Sequence, residues 1–191
     1  MGLGLLKDGI NEVIATTYQN AAPMGLICRN QVTRMVVFRE SHTAERIRQD
    51  GWVVANFIFD PLLYVKTAFE DLPPGEFLDE KAGGIMVQRL SGAEAWAAYH
   101  AEVEQETKDA LIVKLSSLRE VVCISALHPV NRGFNSIIEA TVHATRFQVS
   151  HDPRLYDLIR HHAALVRRCG GARELEALDL LYTFLDFGKE D

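Results

Sequence analysis

The segment from residue 20 to residue 60 reads NAAPMGLICRNQVTRMVVFRESHTAERIRQDGWVVANFIFD. Its β-branched run at 32–38 and its apolar run at 52–59 are each typical of a strand. Pro23 cannot donate to a strand ladder and predicts an edge, an end or a bulge, while Gly25 lets a flat ligand or a second backbone come close. An irregular edge strand without any ligand explains these two residues equally well.

Charge and hydroxyl groups gather between the two runs. Arg39 closes the run at 32–38, and Ser41 or Thr43 then caps a short helix that extends through Ile47. A guanidinium, two hydroxyls and the free N–H groups of a helix start favour an anionic group, most often a phosphate. Each residue also has a plainer role, Arg39 as an ordinary strand-end charge and the hydroxyl at the N-cap as a cap alone.

The flanking sequence extends this order of elements. Strands are predicted at 9–18 and 83–90, and Asp60-Pro61 predicts the N-cap and the first position of a helix. Asn56 lies inside the apolar run at 52–59, where a buried amide needs hydrogen-bond partners. Neighbouring backbone and a bound ligand are equally good candidates for those partners.

Residues 93–107 have an ambiguous pattern. Their Ala and Glu content favours a helix, whereas the alternation of apolar and polar residues favours a strand. We interpret them as the first strand of a hairpin that turns at Lys108-Asp109 and returns over 110–115. A last short strand is predicted at 120–125.

The period of the apolar residues changes after His128-Pro129 and becomes that of helices. Asn131 and Asp152-Pro153 predict two helix starts, and Gly170-Gly171 predicts an end that is followed by a third helix. The chain therefore divides into a strand-rich domain over 1–127 and a helical domain over 128–191.

The composition excludes several classes of protein. The 191 residues carry a net charge of −6, without the basic stripe of a nucleic-acid-binding protein. Cys28, Cys123 and Cys169 are far apart and form no C-x-x-C motif, which predicts reduced thiols. Residues 1–8 lack the apolar segment of a signal peptide, and no apolar run reaches membrane-spanning length. We therefore predict a cytoplasmic protein that binds neither nucleic acid nor membrane.

Two parts of the chain resemble a microbial family of uncharacterised flavoproteins that has the FMN-binding split-barrel fold and is related to the flavin reductases. The stretches that carry the resemblance are NEVIATT at 11–17, NAAPMG at 20–25, Thr43, Asn56 before Asp60-Pro61, NRGFN at 131–135 and IEATVHATR at 138–146. The NAAPMG stretch at 20–25 identifies the superfamily, and the stretches at 131–135 and 138–146 are more specific to the family.

The resemblance implies a fold that is mainly β with α, in which a split barrel of six antiparallel strands precedes a C-terminal subdomain of three helices. It also implies a homodimer with FMN in the groove between the two copies. In related flavin reductases the flavin ring lies along the backbone equivalent to 23–25, and the phosphate meets the turn equivalent to 39–43. The residues that the resemblance assigns to cofactor binding are Pro23, Met24, Gly25, Arg39, Ser41, Thr43 and Asn56. Glu40 is a departure, because an acid there repels a dianion unless it points away.

The resemblance implies an FMN-dependent oxidoreductase that passes a hydride or electrons between a nicotinamide-type donor and an acceptor. A flavin-binding carrier or sensor without turnover is the alternative, and a barrel that binds another phosphorylated cofactor is a third interpretation. The chain has no serine or cysteine nucleophile motif, so no catalytic residue is assigned. This absence does not count against an oxidoreductase, because a flavin carries the redox chemistry itself.

The histidines give no metal-binding motif. His161 and His162 diverge by about 100° around a helix, and no H-E-x-x-H occurs, so no metal site is predicted. Glu139 and His143 lie one helical turn apart, with Arg146 further along the same face. Such an ion-paired stripe is more often structural than catalytic, and its alternative role is to line a substrate pocket.

Overall fold

The computed structural model describes residues 3–185. The ends of the two predicted domains, residues 1–2 and 186–191, lie outside the described residues. The strands are β1 (Gly9–Thr17), β2 (Asn20–Arg29), β3 (Val32–Phe38), β4 (Trp52–Phe57), β5 (Phe77–Ala82), β6 (Ile85–Leu90), β7 (Ala95–Glu106) and β8 (Ala110–Val122). The helices are α1 (His42–Asp50), α2 (Pro61–Phe69), α3 (Arg132–Ser150), α4 (Pro153–Cys169) and α5 (Ala172–Phe184).

Six strands close into an antiparallel barrel in the order β1-β2-β3-β8-β7-β4, and β4 pairs again with β1. Side chains alternate between the two faces of a strand, so one face of each strand fills the barrel. Val13, Leu26, Met35, Val37 and Val113 are fully buried in this interior. β5 and β6 form a separate two-stranded sheet.

The helices have a core of their own. Val65 of α2 is fully buried together with Ile137, Ile159, Val166 and Leu181 of the three later helices. The predicted fold class, which is mainly β with α and has a six-stranded antiparallel barrel followed by three helices, is confirmed.

The chain divides into two compact units. One unit takes the chain up to Ile58 together with Leu72–Ala126, and the other takes Phe59–Asp71 together with the chain from Leu127. α2 therefore groups with the C-terminal helices, because it shares their apolar core. The predicted domains, 1–127 and 128–191, are each contiguous in sequence and therefore place α2 with the barrel.

Side chains and a close backbone contact fix the start of α3. The Oδ1 atom of Asn131 accepts hydrogen bonds from the N–H groups of Gly133 at 2.8 Å and Phe134 at 3.3 Å, as expected of an N-cap. A Cβ atom on Gly133 would lie 2.4 Å from the Cα atom of Gly170. Only glycine permits this contact between the start of α3 and the residue that follows α4.

One strand was not predicted, and one predicted strand is part of a longer one. β5 was not predicted, because its sequence FLDEKA buries only its first and last residues and has little apolar alternation. The strand predicted at 120–125 is the end of β8, which continues unbroken from Ala110 to Val122 beside β7. Irregularities in the β7–β8 register disturb the alternation of apolar and polar residues along β8. Its sequence therefore has the pattern of two short strands.

The apolar period of the sequence predicts Leu158, Ile159, Leu175 and Leu178 on the inward faces of their helices, and the structure buries only two of the four. Ile159 and Leu178 are buried as expected, but Leu158 and Leu175 are 41% and 38% exposed. Ala163 of α4 and Ala177 of α5 are buried in the helical core, because close helix packing needs small side chains as well as large ones.

None of the helices within residues 3–185 combines the length and the hydropathy that a membrane span requires.

Candidate functional site

One edge of β2 has no strand beside it. β2 pairs with β1 over Asn20–Cys28, but its ladder with β3 joins only Leu26–Arg29 to Val32–Met35. From Ala22 to Gly25, no strand of the described residues lies against the β3 side of β2. A strand edge without a neighbour presents unpaired backbone N–H and C=O groups to a ligand or to another chain.

Three of the predicted residues lie on this open edge. Pro23, Met24 and Gly25 are half-buried, and the side chain of Met24 packs against the barrel core. A Cβ atom on Gly25 would lie 3.0 Å from Ile10 Cγ2 and 3.1 Å from Glu12 Oε1. Gly25 therefore has a structural reason to be glycine, since side chains of β1 cross over it, besides the close approach that a ligand would need.

Exposed apolar side chains lie near the open edge. Val36 and Phe38 belong to the part of β3 beyond the ladder, and they are 50% and 68% exposed. Ile10, which covers Gly25, is 64% exposed. Large apolar groups that are this exposed on neighbouring strands are typical of a surface that binds a ligand or a second chain.

Ser41 is the N-cap of α1. Its Oγ atom accepts a hydrogen bond from the Ala44 N–H at 3.2 Å and donates one to the Phe38 carbonyl at 2.7 Å. The protein itself therefore uses the donor hydrogen of this hydroxyl. The N–H groups of His42 and Thr43 in the first turn have no partner within the helix and remain suited to an anion.

Thr43 connects α1 to the beginning of β2. It is buried, and its Oγ1 atom accepts a hydrogen bond from Asn20 Nδ2 at 3.0 Å. Asn20 also lies 3.2 Å from Thr17 Oγ1 at the end of β1. Pro23 lies three residues further along the strand than Asn20, at a distance of about 10 Å. The hydrogen bond between Asn20 and Thr43 joins the start of β2 to α1, and Asn20 itself was not predicted as a site residue.

Arg39 is surrounded by acids. Its Nε atom lies 3.2 Å from Glu106 Oε1 and 3.6 Å from Glu40 Oε1, and Nη1 lies 3.5 Å from the Thr107 carbonyl. Arg48 shares Glu106, at 2.8 Å. The guanidinium therefore points toward the β7–β8 hairpin. Exposed ion pairs of this kind contribute only about 0–1 kcal/mol, so they hold it weakly.

Arg46, which was not predicted as a site residue, is a second cation near this turn. It follows Thr43 by three residues, which places both on one side of α1. Its guanidinium carbon lies 5.5 Å from the centre of the Tyr18 ring, at the turn between β1 and β2. The spacing from Thr43 was the signal that could have identified it.

Asn56 is completely buried in β4. Its Nδ2 atom donates to the Ile14 carbonyl at 2.9 Å and to Thr16 Oγ1 at 3.0 Å, and its Oδ1 atom accepts from the Leu90 N–H at 2.8 Å. The amide thus links β1, β4 and β6. A direct contact with a ligand would require one of these bonds to break, so the role of Asn56 in this structure is to hold strands together.

Two models of one protein family match the chain. The first, described as the N-terminal domain of a protein of unknown function (DUF447), matches residues 11–123. The second, described as a protein of unknown function (DUF447), matches residues 131–183.

Solved structures resemble the chain to very different degrees. The FMN-bound protein MM1853 from Methanosarcina mazei, which has the same family model, is 35% identical with a TM-score of 0.89 over 94% of this chain and 96% of that one. The flavin reductase HpaC in complex with NADP+ is 14% identical, with a TM-score of 0.49 over 63% of this chain and 83% of that one. A flavoredoxin from Methanosarcina acetivorans is 14% identical, with a TM-score of 0.45 over 67% and 76%. The resemblance seen in the sequence is confirmed by the two family models and by the first of these structures.

We expect Asn56→Ala to lower the free energy of unfolding by about 2–4 kcal/mol, because each buried polar group left without a partner costs about 1–3 kcal/mol. The Leu90 N–H and the Ile14 carbonyl are the backbone groups affected. Urea denaturation measures the change. Asn135→Ala, at an exposed position of α3, is the matched control and should stay within about 0.5 kcal/mol of the wild type. A cost for Asn56→Ala no larger than that of the control would contradict the structural role.

Proposed function

The chain belongs to the DUF447 family, and from that membership and the open edge of β2 we propose that it is an FMN-binding oxidoreductase that acts as a homodimer. The observation that carries the proposal is the similarity to the FMN-bound protein of Methanosarcina mazei, which extends over 94% of this chain. The described residues of β2 are proposed to bind the flavin ring, and those at the start of α1 are proposed to bind the phosphate.

The isoalloxazine ring is flat, apolar on its faces and polar along one edge. The open backbone of β2 at 22–25 offers N–H and C=O groups to the polar edge. Val36 and Phe38 offer exposed apolar surface to the ring faces. An edge of this kind suits a flat heterocycle, which pairs with the backbone as a neighbouring strand would.

The phosphate is proposed to bind at the turn between β3 and α1. The start of α1 provides N–H groups at His42 and Thr43 and the positive end of the helix dipole. The hydrogen bond between Asn20 and Thr43 holds this turn beside the start of β2, and Pro23 lies about 10 Å further along the strand. The ribityl chain is proposed to cross this interval. Arg39 supplies the cation, since a phosphate dianion can replace the weak ion pairs that the guanidinium makes with Glu106 and Glu40.

The homodimer is proposed from the same surface. Ile10, Val36 and Phe38 are each at least 50% exposed, and a second copy of this chain would remove them from water. FMN would then lie between two barrels and be shielded from solvent. Sedimentation at micromolar concentration measures the mass, and a mass of one chain would contradict the dimer.

Bound FMN supplies the redox chemistry, by accepting a hydride from a nicotinamide-type donor and passing electrons to an acceptor. The chain's own residues bind the cofactor, orient its ring along β2 and exclude water from one of its faces. A cytoplasmic location fits this role, because Cys28, Cys123 and Cys169 are all free thiols.

We expect Arg39→Ala to be folded but to bind FMN about 10- to 100-fold more weakly, since a charge-assisted bond contributes about 1.5–3 kcal/mol. Riboflavin, which lacks the phosphate, should bind the wild type and Arg39→Ala equally well. Titration of both proteins with both flavins, followed by flavin fluorescence, measures this difference.

Two further arginine variants sharpen the titration. Arg167→Ala, on α4, is the control and should bind FMN like the wild type. Arg46→Ala tests the other cation of the turn. Unchanged FMN affinity in Arg39→Ala would contradict its assignment, and a selective loss in Arg46→Ala would move the phosphate to the Thr43 side of α1.

Anaerobic rapid mixing of the FMN-loaded protein with NADH and with NADPH tests the oxidoreductase itself. We expect one of the two donors to bleach the visible absorbance of the flavin in a saturable, single-exponential phase. Free FMN at the same concentration is the control. If neither donor bleaches the protein-bound flavin faster than it bleaches free FMN, the protein is a flavin carrier or sensor and the proposed activity is wrong.

A further inference from the structure

Two imidazoles and a carboxylate meet between α3 and α4. Glu139 and His143 lie four residues apart on α3, which places them on one face of the helix. His162 comes from α4, which follows α3 after a connection of two residues and therefore packs against it as a helical hairpin. One ligand atom from each of the three residues lies within 4.8 Å of the other two.

The two histidines have buried nitrogen atoms without a partner. The Nδ1 atoms of His143 and His162 are shielded from solvent, and neither makes a hydrogen bond within residues 3–185. The ring centres lie 5.6 Å apart. Buried polar atoms are nearly always paired, so two orphaned nitrogens in facing rings indicate a missing partner.

The charge of Glu139 suits a bound cation. His143 and His162 are half-buried, whereas Glu139 is exposed. Glu139 adds a negative charge at the exposed side of the cluster, where a solvent ligand can complete the coordination.

We propose that Glu139, His143 and His162 form a binding site for a divalent transition-metal ion of the zinc class. Two imidazole nitrogens and one carboxylate oxygen are a ligand set that Zn2+ prefers and that Mg2+ and Ca2+, which prefer oxygen ligands, do not. The ion would connect α3 to α4. Sequence spacing alone does not predict the site, because the third ligand comes from the next helix.

The test is calorimetric titration of the full-length protein, after removal of metals with a chelator, with ZnCl2 and with MgCl2. We expect one Zn2+ per chain with affinity in the micromolar range or tighter, and no binding of Mg2+. His143→Ala and His162→Ala should each weaken Zn2+ binding by more than about 100-fold, since even the outer partners of a metal site contribute about 10- to 100-fold. Glu139→Gln should weaken it less, because an amide oxygen remains a ligand.

His161→Ala is the matched control, because it removes the neighbouring histidine of α4 that lies outside the cluster. It should bind Zn2+ like the wild type. Absence of Zn2+ binding in the wild type, or undiminished binding in His162→Ala, would overturn the proposal.

A measurement on the wild type alone guards against variants that fail to fold. Long-range ¹H–¹⁵N NMR spectra resolve the ring nitrogens of the seven histidines. Addition of Zn2+ should shift the ring nitrogens of two histidines and leave the other five unchanged. Shifts in none of them, or in His161 in place of His162, would contradict the site.

Discussion

The short ladder between β2 and β3 is the constraint on which the rest of this structure depends. Backbone N–H and C=O groups need partners, and a barrel normally supplies them by pairing every strand on both sides. Here the pairing with β3 stops at Leu26, and six residues of β2, Asn20–Gly25, have no β3 residue beside them. The barrel is closed as a fold but open at this edge, where its backbone groups are available to a ligand or a second chain.

Three arginines lie near this edge. The chain has 26 acidic and 20 basic residues, yet Arg39, Arg46 and Arg48 all lie in or beside α1. Glu106 neutralises two of them, and it does so through exposed ion pairs that are individually weak. A phosphate bound at the start of α1 would compete with Glu106 for the Arg39 guanidinium. It would bind more strongly than Glu106, because it would also accept hydrogen bonds from the N–H groups of the first helical turn.

Much of this architecture could be predicted from the sequence, because its signals are local. The run at 32–38 gives the bounds of β3, and Ser41 and Asn131 are the caps that their positions suggest. The contacts that define the sites are not local. The bond between Asn20 and Thr43 joins residues 23 positions apart, and the meeting of His143 with His162 depends on how α3 packs against α4. β5 was missed for a related reason, since its pairing with β6 provides stability that its own composition does not indicate.

Amide hydrogen exchange, compared between the FMN-free and the FMN-saturated protein, tests the central claim most directly. If FMN lies along the open edge of β2 with its phosphate at the start of α1, exchange should slow in peptides that cover 20–29 and 39–47. Peptides from α4 and α5 should exchange at the same rate in both states, because no part of the proposed site lies there. Protection confined to the helices between 132 and 184, or no protection at 20–29 when FMN is saturating, would contradict the account.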